Sequence, residues 1–128
     1  MIEVKYIGLD ISTSIIGICF LDNNYNLINL QAINLKKIKC IFEKSLIVKN
    51  ELNNIKSNYN ILDNVEISIE EAFQSFSKGF SSAKTLSQLN RFNGIVSYLT
   101  YEVFNKIPEY INVNSARKSL GIKLDRKS

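Results

Sequence analysis

The chain of 128 residues has no histidine and no tryptophan, one proline, one methionine and two cysteines. Without histidine it cannot build the usual zinc sites, imidazole general bases or Ser-His-Asp triads from its own residues. No C-x-x-C pair occurs, and Cys19 and Cys40 fit a reducing cytoplasm; Cys19 lies in an apolar run that reads as buried strand and inert core. No apolar run is long enough to span a bilayer, and Met1-Ile2-Glu3-Val4-Lys5 lacks signal-peptide features, so no membrane association is expected. A metal bound here must be held by oxygen ligands, which favours Mg²⁺, Mn²⁺ or Ca²⁺.

The hydrophobic content of 45% and charged content of 22% are those of a soluble globular protein, and the length predicts a single domain over 1–128. A formal net charge of +4 is compatible with a nucleic-acid partner without requiring one.

Val4–Asp10, Ile15–Leu21 and Leu27–Asn34 are short apolar segments separated by turn residues at 11–14 and 22–26, the pattern of a three-stranded antiparallel meander. Ile41, Leu46, Ile47, Leu52 and Ile55 recur near a helical period and predict a helix over 41–55. A further strand is expected at 61–69. A long helix should run from about Ser82 to Asn105, with Leu86, Leu89, Ile95, Val96, Leu99, Val103 and Phe104 on one stripe and Pro108 just past its end. The tyrosine- and apolar-rich part of that stripe, 98–104, reads as core or dimer interface. A last strand is expected at 109–113, then a helix from Ala116 capped by Asn114 or Ser115. Three meander strands followed by right-handed βα units give an α/β fold, a mixed five-stranded sheet flanked by helices.

Two acids stand out against this frame. Asp10 closes the run Tyr6-Ile7-Gly8-Leu9-Asp10, and Glu70 closes Val65-Glu66-Ile67-Ser68-Ile69-Glu70. A carboxylate is costly to desolvate unless paired or coordinated, so each should sit where its strand leaves the core. Ligands of such sheets gather outside the carboxyl ends of the parallel strands, where both acids fall. The pattern points to a shared metal site. Glu71 reads as a solvated acid at a helix start, on the opposite face of its strand from Glu70.

Ile7-Gly8-Leu9-Asp10-Ile11-Ser12-Thr13-Ser14 with Gly17, then Ile69-Glu70-Glu71-Ala72-Phe73, resembles the ribonuclease H-like nucleases, and among them the RuvC-type Holliday junction resolvases of bacteria and phages. Ser82-Ala83-Lys84-Thr85-Leu86-Ser87-Gln88-Leu89 with Gly94 is similar to the helix after the second acid, and 110–121 to the following strand and basic helix. The resemblance implies a ribonuclease H-like fold and an Mg²⁺-dependent (or Mn²⁺-dependent) structure-specific endodeoxyribonuclease that resolves four-way junctions as a homodimer, in recombination and repair. Asp10 and Glu70 would be catalytic, metal-holding carboxylates. Two cations about 4 Å apart would support the attacking water and the leaving 3′ oxygen. Phe73 would correspond to an aromatic wedge at the junction centre, where stacking is worth about 1–3 kcal/mol per base. Lys78, Lys84, Arg117 and Lys118 would contact nucleic acid, although each could equally be ordinary surface charge, and Phe73 could be core. The family carries further acids on a C-terminal helix, which this sequence, ending Lys123-Leu124-Asp125-Arg126-Lys127-Ser128, does not match; a chain truncated before that acidic helix is the expectation.

Two other readings compete. A non-catalytic branched-DNA-binding domain on the same scaffold follows from the missing acids. An actin-like or sugar-kinase-like ATPase fragment also opens on an Asp-containing hairpin, but its phosphate turn needs a glycine where this chain has Ile11-Ser12.

Overall fold

Burial alternates along the strands, so that Val65, Ile67 and Ile69 are buried while Glu66 is exposed and Ser68 only half covered. That period of two, together with the helical period of the segments between, produces the observed architecture. The computed structural model describes residues 2–71 and 82–111. In chain order these form β1 (Glu3–Ile11), β2 (Ile15–Leu21), β3 (Leu27–Asn34), α1 (Ile41–Asn58), β4 (Asn60–Glu70), α2 (Ala83–Phe104) and β5 (Glu109–Ile111). One five-stranded sheet has the order β3-β2-β1-β4-β5. The meander β1-β2-β3 is antiparallel, and β4 runs parallel to both β1 and β5.

Strand β1 carries an irregularity. Its register with β4 shifts between Val4 and Tyr6, and the slip lets both Val4 and Ile7 bury although three positions apart. From Ile7 onward the alternation is regular, and it delivers Asp10 to the face away from the core.

Both helices cover the same face of the sheet. Val48, Leu52 and Ile55 of α1 and Phe92, Val96, Val103 and Phe104 of α2 share one apolar cluster with Leu9, Ile11, Ile16, Ile18, Phe20, Ile67 and Ile69. Each large side chain wholly removed from water contributes about 1.5–3 kcal/mol. Helix α1 extends through Asn58, one turn beyond the apolar repeat, and Tyr59 then seals its end. The Tyr59 ring stacks on Phe20 at 4.4 Å between centroids, and its hydroxyl accepts from Asn29 Nδ2 at 2.6 Å. Helix α2 starts where Ser82 Oγ accepts from the Thr85 N–H at 3.0 Å. It stops at Asn105, which takes the left-handed conformation (φ 56°) that asparagine tolerates, with Pro108 beyond. Within its last turns Thr100, Val103 and Phe104 are buried, whereas Tyr98 and Tyr101 face outward. The helix expected from Ala116, and Val113 of the last strand, lie outside the described residues.

The direction of the helices fixes the two ends of the sheet. Lys44, near the start of α1, reaches the β1–β2 turn, and Asn93 of α2 reaches the end of β4. Tyr59, Phe104 and Asn105, at the helix ends, border a cleft of about 580 Å³ with Asn60, Ile61 and Val65 at the start of β4. Both helices therefore run antiparallel to β1 and β4, and their N-termini lie at the sheet end that carries Asp10 and Glu70.

Candidate functional site

Asp10 is the penultimate residue of β1 and is exposed. It lies between Leu9 and Ile11, both buried under the helices, so its side chain leaves by the opposite face. Across the hairpin its register partner is Gly17. A Cβ built on Gly17 would lie 3.9 Å from the Asp10 Cβ, an ordinary packing distance, so the two positions stand side by side on this face. Asp10 has no ion pair with any described residue.

The turn after Asp10 is held from three sides. Ser12 Oγ donates to the Ile15 carbonyl at 2.7 Å and accepts from the Ile15 N–H at 3.0 Å, closing the hairpin. Leu35 N–H donates to the Ser14 carbonyl at 2.8 Å, and Lys44 Nζ donates to the Thr13 carbonyl at 2.5 Å. A short serine-rich turn tied to both neighbouring segments makes a stiff base for an acid that must hold position.

Glu70 ends β4. The parallel register pairs Gly8 with Ser68 and Leu9 with Ile69, so Asp10 and Glu70 stand one step further along adjacent strands, on the same face. Neighbouring strands lie about 4.8 Å apart, so the two acids leave adjacent strands side by side. The backbone of Glu70 is pinned from the helix layer, its carbonyl accepting from Asn93 Nδ2 at 3.3 Å. Glu71 follows the strand, and its N–H donates to the Ile111 carbonyl at 3.0 Å.

Asn93 escaped the sequence reading. It is buried on α2 between Phe92 and Val96, and also receives Ser97 Oγ on its carbonyl at 2.7 Å. The signal was present in principle, since an asparagine in the middle of an apolar helical stripe is costly unless its amide has partners.

Of the other predicted contacts, Lys84 lies exposed in the first turn of α2, at the Asp10–Glu70 end of the sheet. Phe73, Lys78, Arg117 and Lys118 lie outside the described residues. Among the described residues no group of three or more His, Cys, Asp or Glu is placed to hold a metal ion. Asp10 and Glu70 are thus a pair of oxygen donors, a set that suits Mg²⁺ or Mn²⁺ completed by water and substrate oxygens.

Cys19 departs from the expectation of inert core. It stands two residues from Gly17 on the same face as Asp10 and is half-buried, with its thiol pKa raised by that burial. On this face the sheet also carries a stacked pair, Tyr6 and Tyr25, with centroids 4.6 Å apart and hydroxyls 3.1 Å apart. The hydrogen bond to Tyr25, then burial, pushes the Tyr6 phenol up to about 12.

No protein-family model matches this sequence, and no curated protein does either. Among solved structures, T. thermophilus RuvC in complex with a Holliday junction substrate matches with a TM-score of 0.65 and 8% identity, over 90% of this chain and 68% of that one. Two structures of the Aquifex aeolicus Ppx/GppA phosphatase match with TM-scores of 0.42 and 0.40 and 13% identity, over 84% of this chain and 35% of theirs. No helix among the described residues is long and apolar enough to cross a membrane. The chain shares with RuvC the ribonuclease H-like α/β fold, a mixed five-stranded sheet with its helices packed against it.

Proposed function

We propose that this chain is a metal-dependent endonuclease acting on branched DNA, with Asp10 and Glu70 as its metal-holding catalytic carboxylates. The observation that carries the reading is their placement on adjacent parallel strands, one register step past Leu9 and Ile69, on the sheet face turned away from the helices. The match to a resolvase solved on a Holliday junction supports the substrate class.

Bound Mg²⁺ or Mn²⁺ would supply a Lewis acid that neutralises the phosphate and lowers the pKa of the attacking water. The protein's own part is positional. The Ser12–Ile15 turn fixes Asp10 from one side, and the Asn93 amide fixes the Glu70 backbone from the other. Among the described residues the two acids stand at a sheet end, Asp10 exposed and Glu70 partly exposed, a placement suited to a polymeric substrate. Lys84, beside it at the start of α2, would contact a phosphate, and Phe73, Lys78, Arg117 and Lys118 are proposed to extend the DNA surface. Resolution needs two symmetric nicks, so the working form would be a homodimer with paired sites.

A second reading, a branched-DNA-binding domain without cleavage, is favoured by the lack of a third metal-ligating group among the described residues. One gel separates the two: a labelled four-way junction and a matched linear duplex, with and without Mg²⁺ or Mn²⁺. Paired, metal-dependent nicks in the junction alone are the expected result. Selective retardation without cleavage would favour the binding domain, and indifference to both DNAs would contradict the proposal.

A further inference from the structure

The connection from β3 to α1 reads Leu35-Lys36-Lys37-Ile38-Lys39-Cys40 and lies at the same end of the sheet as the two carboxylates. It is fastened from within. Leu35 is fully buried and its N–H donates to the Ser14 carbonyl at 2.8 Å, tying the connection to the turn that follows Asp10. Lys36 N–H donates to Asn34 Oδ1 and Ile38 N–H to the Leu35 carbonyl, both at 3.0 Å, which makes a tight turn. With Leu35 buried and Ile38 half-buried, Lys36, Lys37 and Lys39 are exposed.

Among the described residues these lysines form no ion pair, although Glu43 follows in the first turn of α1. The ion pairs among the described residues are Lys5–Glu66 and Lys49–Glu102, neither of which involves this turn. A protein surface usually intersperses charges of both signs, and like charges held on a stiff turn repel one another unless a polyanion faces them.

We infer that Lys36, Lys37 and Lys39 form a phosphate-contacting strip that holds the DNA backbone beside the Asp10–Glu70 site; this rests on the nuclease reading above. Strand β3 lies two strands from β1, about 10 Å at 4.8 Å per strand. The strip therefore meets backbone phosphates neighbouring the one at the carboxylates. Lysine ammonium groups grip phosphate as point charges and read no base edge, so the strip gives affinity and register without sequence preference.

The test compares a Lys36→Ala/Lys37→Ala/Lys39→Ala variant with a Lys56→Ala/Lys106→Ala control from the opposite end of the sheet. Affinity for a labelled four-way junction is measured over a salt series, with Ca²⁺ in place of Mg²⁺ to hold off cleavage. Each phosphate contact contributes about 0.9 to the slope of log K against log salt. The triple variant should lower the magnitude of that slope by about 2 to 3 and weaken low-salt binding at least tenfold, equally on junctions of different sequence, while the control keeps the parent slope. If the parent binds the junction and the triple variant binds with the same slope, the strip is wrong and the nuclease reading stands. An equal loss in the control also overturns the strip, because the effect is then general charge. A parent that does not bind the junction overturns both.

Discussion

On the helix-covered face of the sheet Leu9, Ile11, Ile67 and Ile69 are all buried, whereas the residues alternating with them on the other face are Gly8, Asp10, Ser68 and Glu70. Residues that are neighbours in sequence therefore meet opposite demands. One face gains stability from large apolar side chains, and the other gives up that gain for small residues and acids at the strand ends. The period of two allows this, since a substitution on one face barely touches packing on the other.

The largest effect should come from the covered face. Phe92 is 0% exposed on α2, and Phe92→Ala should cost about 3–5 kcal/mol in urea unfolding, a large share of the ~5–15 kcal/mol typical of a domain. A loss below about 1 kcal/mol would mean that the α2–sheet contact is not the core. Asn93 bridges the two regions, and Asn93→Ala removes a buried amide and leaves the Glu70 carbonyl without that donor. About 1–3 kcal/mol should be lost, whereas Asn93→Asp, which keeps the shape but not the N–H donors, separates packing from hydrogen bonding.

Gly8 sharpens the comparison from the open face. A Cβ there meets nothing within 4 Å among the described residues, so Gly8→Ala should be neutral or stabilise by up to about 1 kcal/mol. Clear destabilisation would show that a segment outside the described residues packs on this face. The smallest effect concerns the Tyr6–Tyr25 pair. A phenol whose folded pKa is raised to about 12 from 10.0 keeps its proton more tightly when folded, so its contribution is intact below pH 10 and is lost as pH rises towards 12. In an absorbance titration, Tyr25→Phe should bring one phenol back towards 10.

Much of this was legible in sequence. The strand pattern, the acids at two strand ends and the Ser82 and Asn105 boundaries follow from short-range chemistry. Cys19 did not, because an apolar run such as Ile15–Leu21 does not reveal whether one face or both will be covered. Asn93 and the Tyr6–Tyr25 pair depend on contacts between residues 23 and 19 positions apart, which no local pattern encodes. The grouping of Lys36, Lys37 and Lys39 beside the turn after Asp10 likewise depends on the fold, through the Leu35 N–H bond to the Ser14 carbonyl.

The most direct test of the division between the faces pairs Asp10→Asn with Glu70→Gln, measuring Mg²⁺-dependent junction cleavage and thermal midpoint on the same preparations. Both changes lie outside the apolar cluster, so each midpoint should stay within a few degrees of the parent while cleavage falls at least 100-fold. Parent-level cleavage by either variant would contradict the assignment of this sheet end as the metal site.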